Sequence, residues 1–534
     1  MDHPRPLLRR RRWINLDGEW EFGAGPSEKF DRTIKVPFCP QSELSGVHRV
    51  DLGDVAWYRR RFDAPPAERL ILHFGAVDYQ ATVWVNGEQV ASHEGGHTPF
   101  SADISTVVRP AGNVVVVRTE DPLADKTIPR GKQHWTAKPE GIFYTATTGI
   151  WQTVWLEPLP ARGIESVRVI PDPDSGTVHV EVEAEGQADL LATFDGRVVG
   201  KRSGSGTMAL DEIHRWSPET PHLYGLEVTL GDGDSVESYF GMRKLELRDG
   251  RFWLNGEPYV QRLVLDQGYF PGGVLTAASG EDFKRDIRLA KSMGFNGARM
   301  HQKVEDPRYL YWADRLGFLV WAEMPSIREW SLEGERRMLR EWEQAVIRDR
   351  DHPSIVTWVP VNESDGMSPD PSAFLDGMYS LTRQLDPSRP VVSNDGWEHA
   401  TSDICTLHDY ASAFELMARY RSVEQALEPS ARPRPPYLPG YSYRGEPIIV
   451  SEFGGVRLQG PEGWGYSEAR DENHLLATYR EMIEALMAPG PVEGFCYTQL
   501  YDVEQEQNGL LTFDRRPKVE PRLLHPVTQT AKRR

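Results

Sequence analysis

Cysteine is nearly absent: Cys39, Cys405 and Cys496 are the only three in 534 residues. They stand far apart with no partners at metal-ligand spacing, which excludes a disulfide framework and a zinc cluster and leaves buried, inert thiols as the expectation. No metal site or cofactor motif is visible. No run of about twenty apolar residues occurs, so no membrane-spanning helix is written. The basic segment 1–12 runs into Trp13 and Asn15 without the apolar centre of a signal peptide, and a cytoplasmic location is expected. Positive charge is also short. Sixty-one Lys and Arg face 79 Asp and Glu, a net charge of -18 with no large basic block, which gives phosphate backbones nothing to grip and repels anionic membranes. Neither nucleic acid nor membrane is an expected partner.

The chain is rich in tryptophan, with 16 residues, a side chain suited to cores and to sugar faces. Its length calls for several domains. From Trp13 to Pro160, short alternating runs such as 19–22, 57–62, 81–85, 114–118 and 153–156 predict an all-β sandwich. Asn86-Gly87 marks a tight hairpin, because both residues tolerate the positive φ of a two-residue turn. A second set of strands over 161–247 predicts a small two-sheet sandwich of immunoglobulin-like size. From 248 to 534, buried runs at 259–265, 295–300, 318–323, 355–360, 391–394, 403–408, 448–452 and 494–499 alternate with helical stretches at 281–293, 307–316, 334–349, 371–384 and 468–487. That pattern predicts a closed (β/α)8 barrel, and no flexible linker separates the three units.

Barrel chemistry sits where strands end at their C-terminal side. The fourth and seventh predicted strands lead to glutamates, at Asn362-Glu363 and Ser451-Glu452. Burying a carboxylate beside a run such as Ile448-Ile449-Val450 is costly unless it has partners or work to do. Retaining glycosidases use two carboxyl groups about 5–5.5 Å apart, one ionised and one protonated. At that separation and an effective dielectric near 20, two negative charges repel by roughly 3 kcal/mol and lift one pKa by about 2 from near 4.3. The repulsion does not say which glutamate keeps its proton.

The same residues carry a resemblance to glycoside hydrolase family 2, over nearly the whole length. It rests on 16–20, Trp57-Tyr58-Arg59-Arg60, Val85-Asn86-Gly87 and 149–157 in the first domain. It continues through 216–224 and Phe240-Gly241-Met242-Arg243 in the second, and through 350–355 leading to Asn362-Glu363 in the barrel. The resemblance implies a jelly-roll sugar-binding-like domain (1–160), an immunoglobulin-like sandwich (161–247) and a catalytic TIM barrel (248–534). It implies Glu363 as acid/base, Glu452 as nucleophile, Asn362 on the sugar 2-hydroxyl and Arg299 holding the nucleophile ionised. His301 resembles a family histidine that normally comes one position later. Tyr410, with His408 as the alternative, takes the place of a donor near the nucleophile. Asp266, Trp321, Glu323, Asp395 and Trp397 lie near strand ends and are candidates for hydroxyl binding or stacking, and Tyr497 and Gln499 end the last strand, where many relatives carry a tryptophan floor.

The family's glucuronidases hold a carboxylate with an Asn-x-Lys pair that is missing here; Asn508-Gly509-Leu510 follows Glu504 and Glu506 instead. That acidic stretch tilts the expectation to a neutral sugar, with an exo-acting, retaining β-galactosidase in the lead. The alternatives are a β-glucuronidase, a β-mannosidase or an arabino-configured glycosidase, and, from another class, a non-catalytic carbohydrate-binding protein. The partner is a glycoside or oligosaccharide, and an all-β face beside a barrel suits a homo-oligomer contact. The proline-containing region 413–445 is expected to be a loop over the mouth that enforces exo action.

Overall fold

A computed structural model of the chain describes residues 3–231, 233–364, 370–431, 433–460 and 462–533. The first domain pairs a four-stranded sheet, ordered Ile14–Asn15, Val154–Leu159, Arg69–Phe74, Phe100–Asp103, with a six-stranded sheet that runs from Arg32–Val36 to Glu88–Glu94. Alternating side chains of both sheets, among them Trp20, Tyr58, Leu72, Val83 and Val117, fill the space between them. Asn86 and Gly87 both have positive φ and join Gln80–Val85 to Glu88–Glu94, as their sequence predicts.

The second domain is a seven-stranded sandwich of three and four strands. It also receives the chain's beginning: Leu8 joins its core, Arg9 bonds the Glu237 backbone, and Arg10 ion-pairs with Asp234 at 2.9 Å. Residues placed in the first domain by sequence thus fasten the second.

Seven parallel strands form the barrel sheet. Their spatial order is Ile355–Val359, Leu319–Glu323, Gly297–Met300, Gln261–Asp266, Val492–Thr498, Ile448–Gly454 and Cys405–His408. The predicted strand at 391–394 is not regular. It bonds to one edge through Val392 N to Trp358 O (2.9 Å) and Asp395 N to Val361 O (2.8 Å), and to the other through Asp403 N to Val391 O (2.9 Å). The side chain of Asn394 bonds Ser364 Oγ and Trp397 O, drawing this stretch out of a ladder while it still bridges the two edges. A hairpin at Leu245–Leu254 lies under the barrel, where Phe252 and Leu254 join Leu263, Trp321, Val356 and Ile449 in one core.

Helices Gly280–Ser292, Pro307–Leu316, Leu332–Asp349, Ser372–Leu385 and Glu472–Leu486 surround the sheet. Ser279 and Asp282 form a capping box on the first, and Asp306 caps the second ahead of Pro307. The Asp351-His352-Pro353-Ser354 motif works at the domain seam. Asp351 accepts from Val169 N, and Asp314 accepts from Tyr239 OH, from Ser354 N and lies 2.6 Å from His352 Nδ1. The motif therefore sets where Ile355–Val359 begins relative to the second sandwich. Among the described residues no helix is long and apolar enough to cross a bilayer.

Region 413–445 differs from its expectation. Ala413–Arg419 and Val423–Ala426 are helical, and the first packs on Glu472–Leu486 in the outer layer. Residues 435–438 then run along 398–399 through three backbone bonds. Arg432 of its proline-rich motif lies outside the described residues. The segment that reaches over the barrel comes from the first domain: Gly131 N bonds Ser326 O, and Gln505 Nε2 bonds the carbonyls of Gly141 and Phe143.

Candidate functional site

Glu363 and Glu452 face one another. One oxygen from each and one nitrogen of His408 all lie within 4.8 Å of one another. That is the short separation of a retaining pair, too small for the water an inverting pair must seat between its carboxyl groups. Glu452, on Ile448–Gly454, is nearly enclosed, with 7% of its side chain exposed, while Glu363 is 26% exposed and stands toward solvent. Glu363 has φ of 44°, an unfavourable value for a side chain with a Cβ, of the kind that collects at functional sites at a cost of about 1–3 kcal/mol.

Arg299 is the hub. Fully buried at the end of Gly297–Met300, its guanidinium ion-pairs with Glu452 and Asp395, bonds Glu323 Oε2 at 2.9 Å and Asn362 Oδ1 at 3.0 Å. Tyr410 OH donates to Glu452 Oε2 at 2.6 Å. His408 lies between the carboxylates, with Nδ1 2.6 Å from Glu363 Oε1 and Nε2 2.8 Å from Asp395 Oδ2 and 3.5 Å from Glu452 Oε1.

Burial works against every charge here, and the partners decide the outcome. Burial disfavours the His408 imidazolium, but Glu452, Asp395 and its hydrogen bonds overcome this and push its pKa up to about 10. Burial raises Glu452, yet His408, Arg299 and the Tyr410 hydroxyl bring it below the usual carboxylate range. Asp395 is likewise held ionised, against its burial, by Arg299 and His408. Glu323 goes the other way: burial, with Asp395 and Glu452 adding to it against Arg299, lifts it to about 8. Two cations, Arg299 and His408, are thereby matched by Asp395 and Glu452. His301 lies with Nδ1 2.9 Å from Glu323 Oε1 and is kept neutral by burial and by Arg299. Both nitrogens of His408 are taken by carboxylates, an arrangement that suits a proton and leaves it no lone pair for a metal.

Several predicted residues have other work. Trp321 is fully buried in the barrel core and donates to Gln261 Oε1 at 2.7 Å, so its face meets no ligand. Tyr497 points to the helix layer, edge-on to Phe453 and Tyr479, and is no sugar platform. Asp266 accepts from Tyr501 OH and from Gly268 N, holding a turn. Gln499 is fully buried between Gln267 and Asn508 in an amide chain. Asp395 has no exposed surface, and its carboxylate is engaged by Arg299 and His408. Trp397 stands edge-on to His408, with ring centroids 5.5 Å apart, and is only half-buried. It keeps surface beside the pair, as does the half-buried Tyr410.

Sequence reasoning missed the first domain's contribution. Tyr144 OH donates to Glu506 Oε2 at 2.6 Å, and Thr145 N donates to both oxygens of Glu504 at 3.1 Å. The acidic stretch therefore fastens residues 141–145 to the barrel. Lys132 and Arg328 stand near the same rim, and Tyr466 stacks on Tyr410 with centroids 3.4 Å apart. The signal was available: 121–148 holds no strand, and so long an irregular stretch inside a compact domain usually carries function. A separate cavity of about 450 Å³, at the seam of the three domains and lined by Arg5, His73, Trp155 and Arg348, contains none of these carboxylates.

Comparison with known proteins agrees with this architecture. The profile described as "Glycosyl hydrolases family 2, TIM barrel domain" matches residues 245–464, the "Glycosyl hydrolase 2 galactose-binding domain-like" profile matches 32–148, and "Glycosyl hydrolases family 2" matches 172–243. The chain is 27% identical to the β-glucuronidase of Canis lupus familiaris, across 86% of this chain and 80% of that protein. It is 26% identical to a β-glucuronidase of Paenibacillus borealis across 96% of both, and 27% identical to a β-galactosidase of Photobacterium profundum across 80% of this chain and 42% of that one. Among solved structures, the β-D-glucuronidase of Dictyoglomus thermophilum superposes with a TM-score of 0.82 at 20% identity, covering 100% and 99% of the two chains. A Ruminococcus gnavus β-glucuronidase in complex with D-glucuronic acid gives 0.81 at 20% identity, covering 98% and 99%. Family 2 profiles matched in order over the first domain, the second sandwich and the barrel make the chain a member of glycoside hydrolase family 2, and the protein is a glycosidase.

Proposed function

We propose that the protein removes terminal β-D-glucuronosyl residues by double displacement with retention of configuration. The observation that carries the mechanism is Glu452, ionised by Arg299, His408 and Tyr410, facing Glu363 at no more than 4.8 Å between their nearest oxygens. In the first step a Glu452 oxygen attacks the anomeric carbon while Glu363 protonates the departing oxygen and becomes a carboxylate, held by His408 Nδ1 at 2.6 Å. In the second step Glu363 takes a proton from water, which cleaves the glycosyl ester and frees Glu452. Asn362, oriented by Arg299 at 3.0 Å, is placed for the 2-hydroxyl, where a hydrogen bond gains strength as charge develops.

The sugar assignment departs from the neutral sugar expected from sequence. The glucuronidases among the relatives support it, and so does the use of Glu504 and Glu506 as fasteners of residues 144–145, which removes the objection those carboxylates raised. The β-galactoside reading keeps the support of the Photobacterium relative. A panel of 4-nitrophenyl β-D-glucuronide, galactoside, glucoside and mannoside separates them: the glucuronide should have the highest kcat/KM, and a higher value for any neutral sugar overturns the assignment.

A further inference from the structure

Lys132 is a buried lysine, 7% exposed, for which no hydrogen bond or ion pair of its ammonium is formed with any described residue. A desolvated ammonium without a partner is costly, and proteins normally pair it or give it a ligand. The carboxylates that act most on its charge are Glu506, then Glu452, with Glu363 further down the order, so it belongs to the same charged cluster as the catalytic pair. Burial lowers its pKa and those carboxylates oppose the change. Glu506 accepts from Tyr144 OH at 2.6 Å and from Asn508 Nδ2 at 3.1 Å, and among the described residues it forms no hydrogen bond or ion pair with Lys132.

The position is fixed from both sides. Gly131 has φ of 59° and bonds Ser326 O at 3.0 Å; a Cβ there would fall 2.3 Å from Gln302 O, so the backbone lies directly on the barrel rim. Immediately after Lys132 in space, Tyr144 N bonds Lys132 O at 2.8 Å. The ammonium stands 5.7 Å from the Phe143 ring centre and 5.8 Å from that of Tyr144.

Direction also matters. Asn362 and Glu363 follow Ile355–Val359, whereas Glu506 follows Val492–Thr498, four places away in the order of the curled seven-stranded sheet. Carbons 2 and 5 of a pyranose are opposite corners of the ring. A sugar whose 2-hydroxyl meets Asn362 therefore turns its C5 substituent toward Lys132.

We propose that Lys132, supplied by the first domain across the domain boundary, is the cation that binds the C5 carboxylate of a uronic-acid substrate. The proposal rests on the glucuronide reading given above. It assigns to the jelly-roll domain a direct part in substrate choice, since the barrel lysine beside Glu506 and Asn508, Lys518, is already bonded to Asp502 Oδ1 at 2.6 Å and Gln507 O at 3.0 Å.

The test compares kcat/KM for 4-nitrophenyl β-D-glucuronide and β-D-glucoside, which differ only in carboxylate against hydroxymethyl at C5. Lys132→Met should lower the glucuronide-to-glucoside ratio roughly 100-fold, the worth of a charged hydrogen bond, and Lys132→Arg should restore part of it. A wild-type enzyme that prefers the glucuronide, with a ratio unchanged within about threefold in Lys132→Met, overturns the Lys132 assignment and leaves the glucuronide reading standing. A wild-type enzyme that cleaves the glucoside and ignores the glucuronide overturns the reading itself. A second readout needs no turnover: D-glucuronate should raise the melting temperature of Glu452→Gln protein, and the added Lys132→Met change should abolish that rise. Equal stabilisation of both proteins contradicts the assignment.

Discussion

Replacing His408 by glutamine removes the one side chain that touches Glu363, Asp395 and Glu452 together. The native state lifts this histidine from 6.5 to about 10, so folding binds a proton that the unfolded chain releases near neutrality. A raised pKa contributes stability that is complete below the unfolded value and lost as pH rises through the folded one. The full difference corresponds to about 5 kcal/mol, of which about 2.5 kcal/mol is surrendered between pH 7 and 9. For a domain of this size that is a fall in melting temperature of about 5 °C. Glu323, lifted to about 8, titrates over part of the same window and in the same direction, which is why the variant must be compared with the parent. The assay is a melting temperature at pH 7 and pH 9 for both proteins. His408→Gln should start lower at pH 7, because Asp395 and Glu452 lose a shared cation at a cost of about 3–5 kcal/mol, and should then lose less than the parent on going to pH 9. An identical fall from pH 7 to 9 in the two proteins would refute the argument that His408 is the charged link.

Other consequences are more local. Tyr410→Phe deletes a charged hydrogen bond of 2.6 Å to Glu452 and should reduce kcat by roughly 10- to 100-fold, read from initial rates on an activated aryl glycoside. Glu363→Ala should lose far more activity on a phenyl glycoside than on a dinitrophenyl one, since only the former needs its leaving group protonated; equal losses would point elsewhere for the acid. Gly131→Ala sets a Cβ 2.3 Å from a carbonyl oxygen at a positive φ, and should raise KM more than it lowers kcat by unseating the first-domain segment. Trp321→Phe should lower the melting temperature through its lost bond to Gln261 while leaving the preference among sugars unchanged, which an activity panel checks.

The carboxylate pair was legible because each glutamate comes one polar residue after an apolar run, Asn362 after Val361 and Ser451 after Val450, a place where a charge cannot sit idle. Strand ends were legible for the same reason, but the direction of each side chain was not. Tyr497 and Trp321 both lie near the mouth in sequence, yet one turns into the helix layer and the other into the packed interior. Asp266 and Gln499 show a further limit: their partners, Tyr501 and the Gln267–Asn508 pair, close turns that only the fold brings together. Glu504 and Glu506 misled most, since an acidic stretch reads as a repulsive wall until Thr145 and Tyr144 are found bonded to it. Those partners lie in another domain, and no local spacing rule connects them. The strand expected at 391–394 is instead an irregular bridge between two edges, because the Asn394 side-chain bonds draw it out of a ladder.

The most direct test is to trap the glycosyl-enzyme. A 2-deoxy-2-fluoro glycosyl substrate with a good leaving group slows ester hydrolysis, and mass spectrometry of the digested protein then locates the sugar. The label should sit on the peptide containing Glu452, with one sugar per chain, and be absent from Glu452→Ala protein. A label on Glu363 or Glu323, or continued turnover with no covalent adduct, would contradict attack by the Arg299-bound carboxylate.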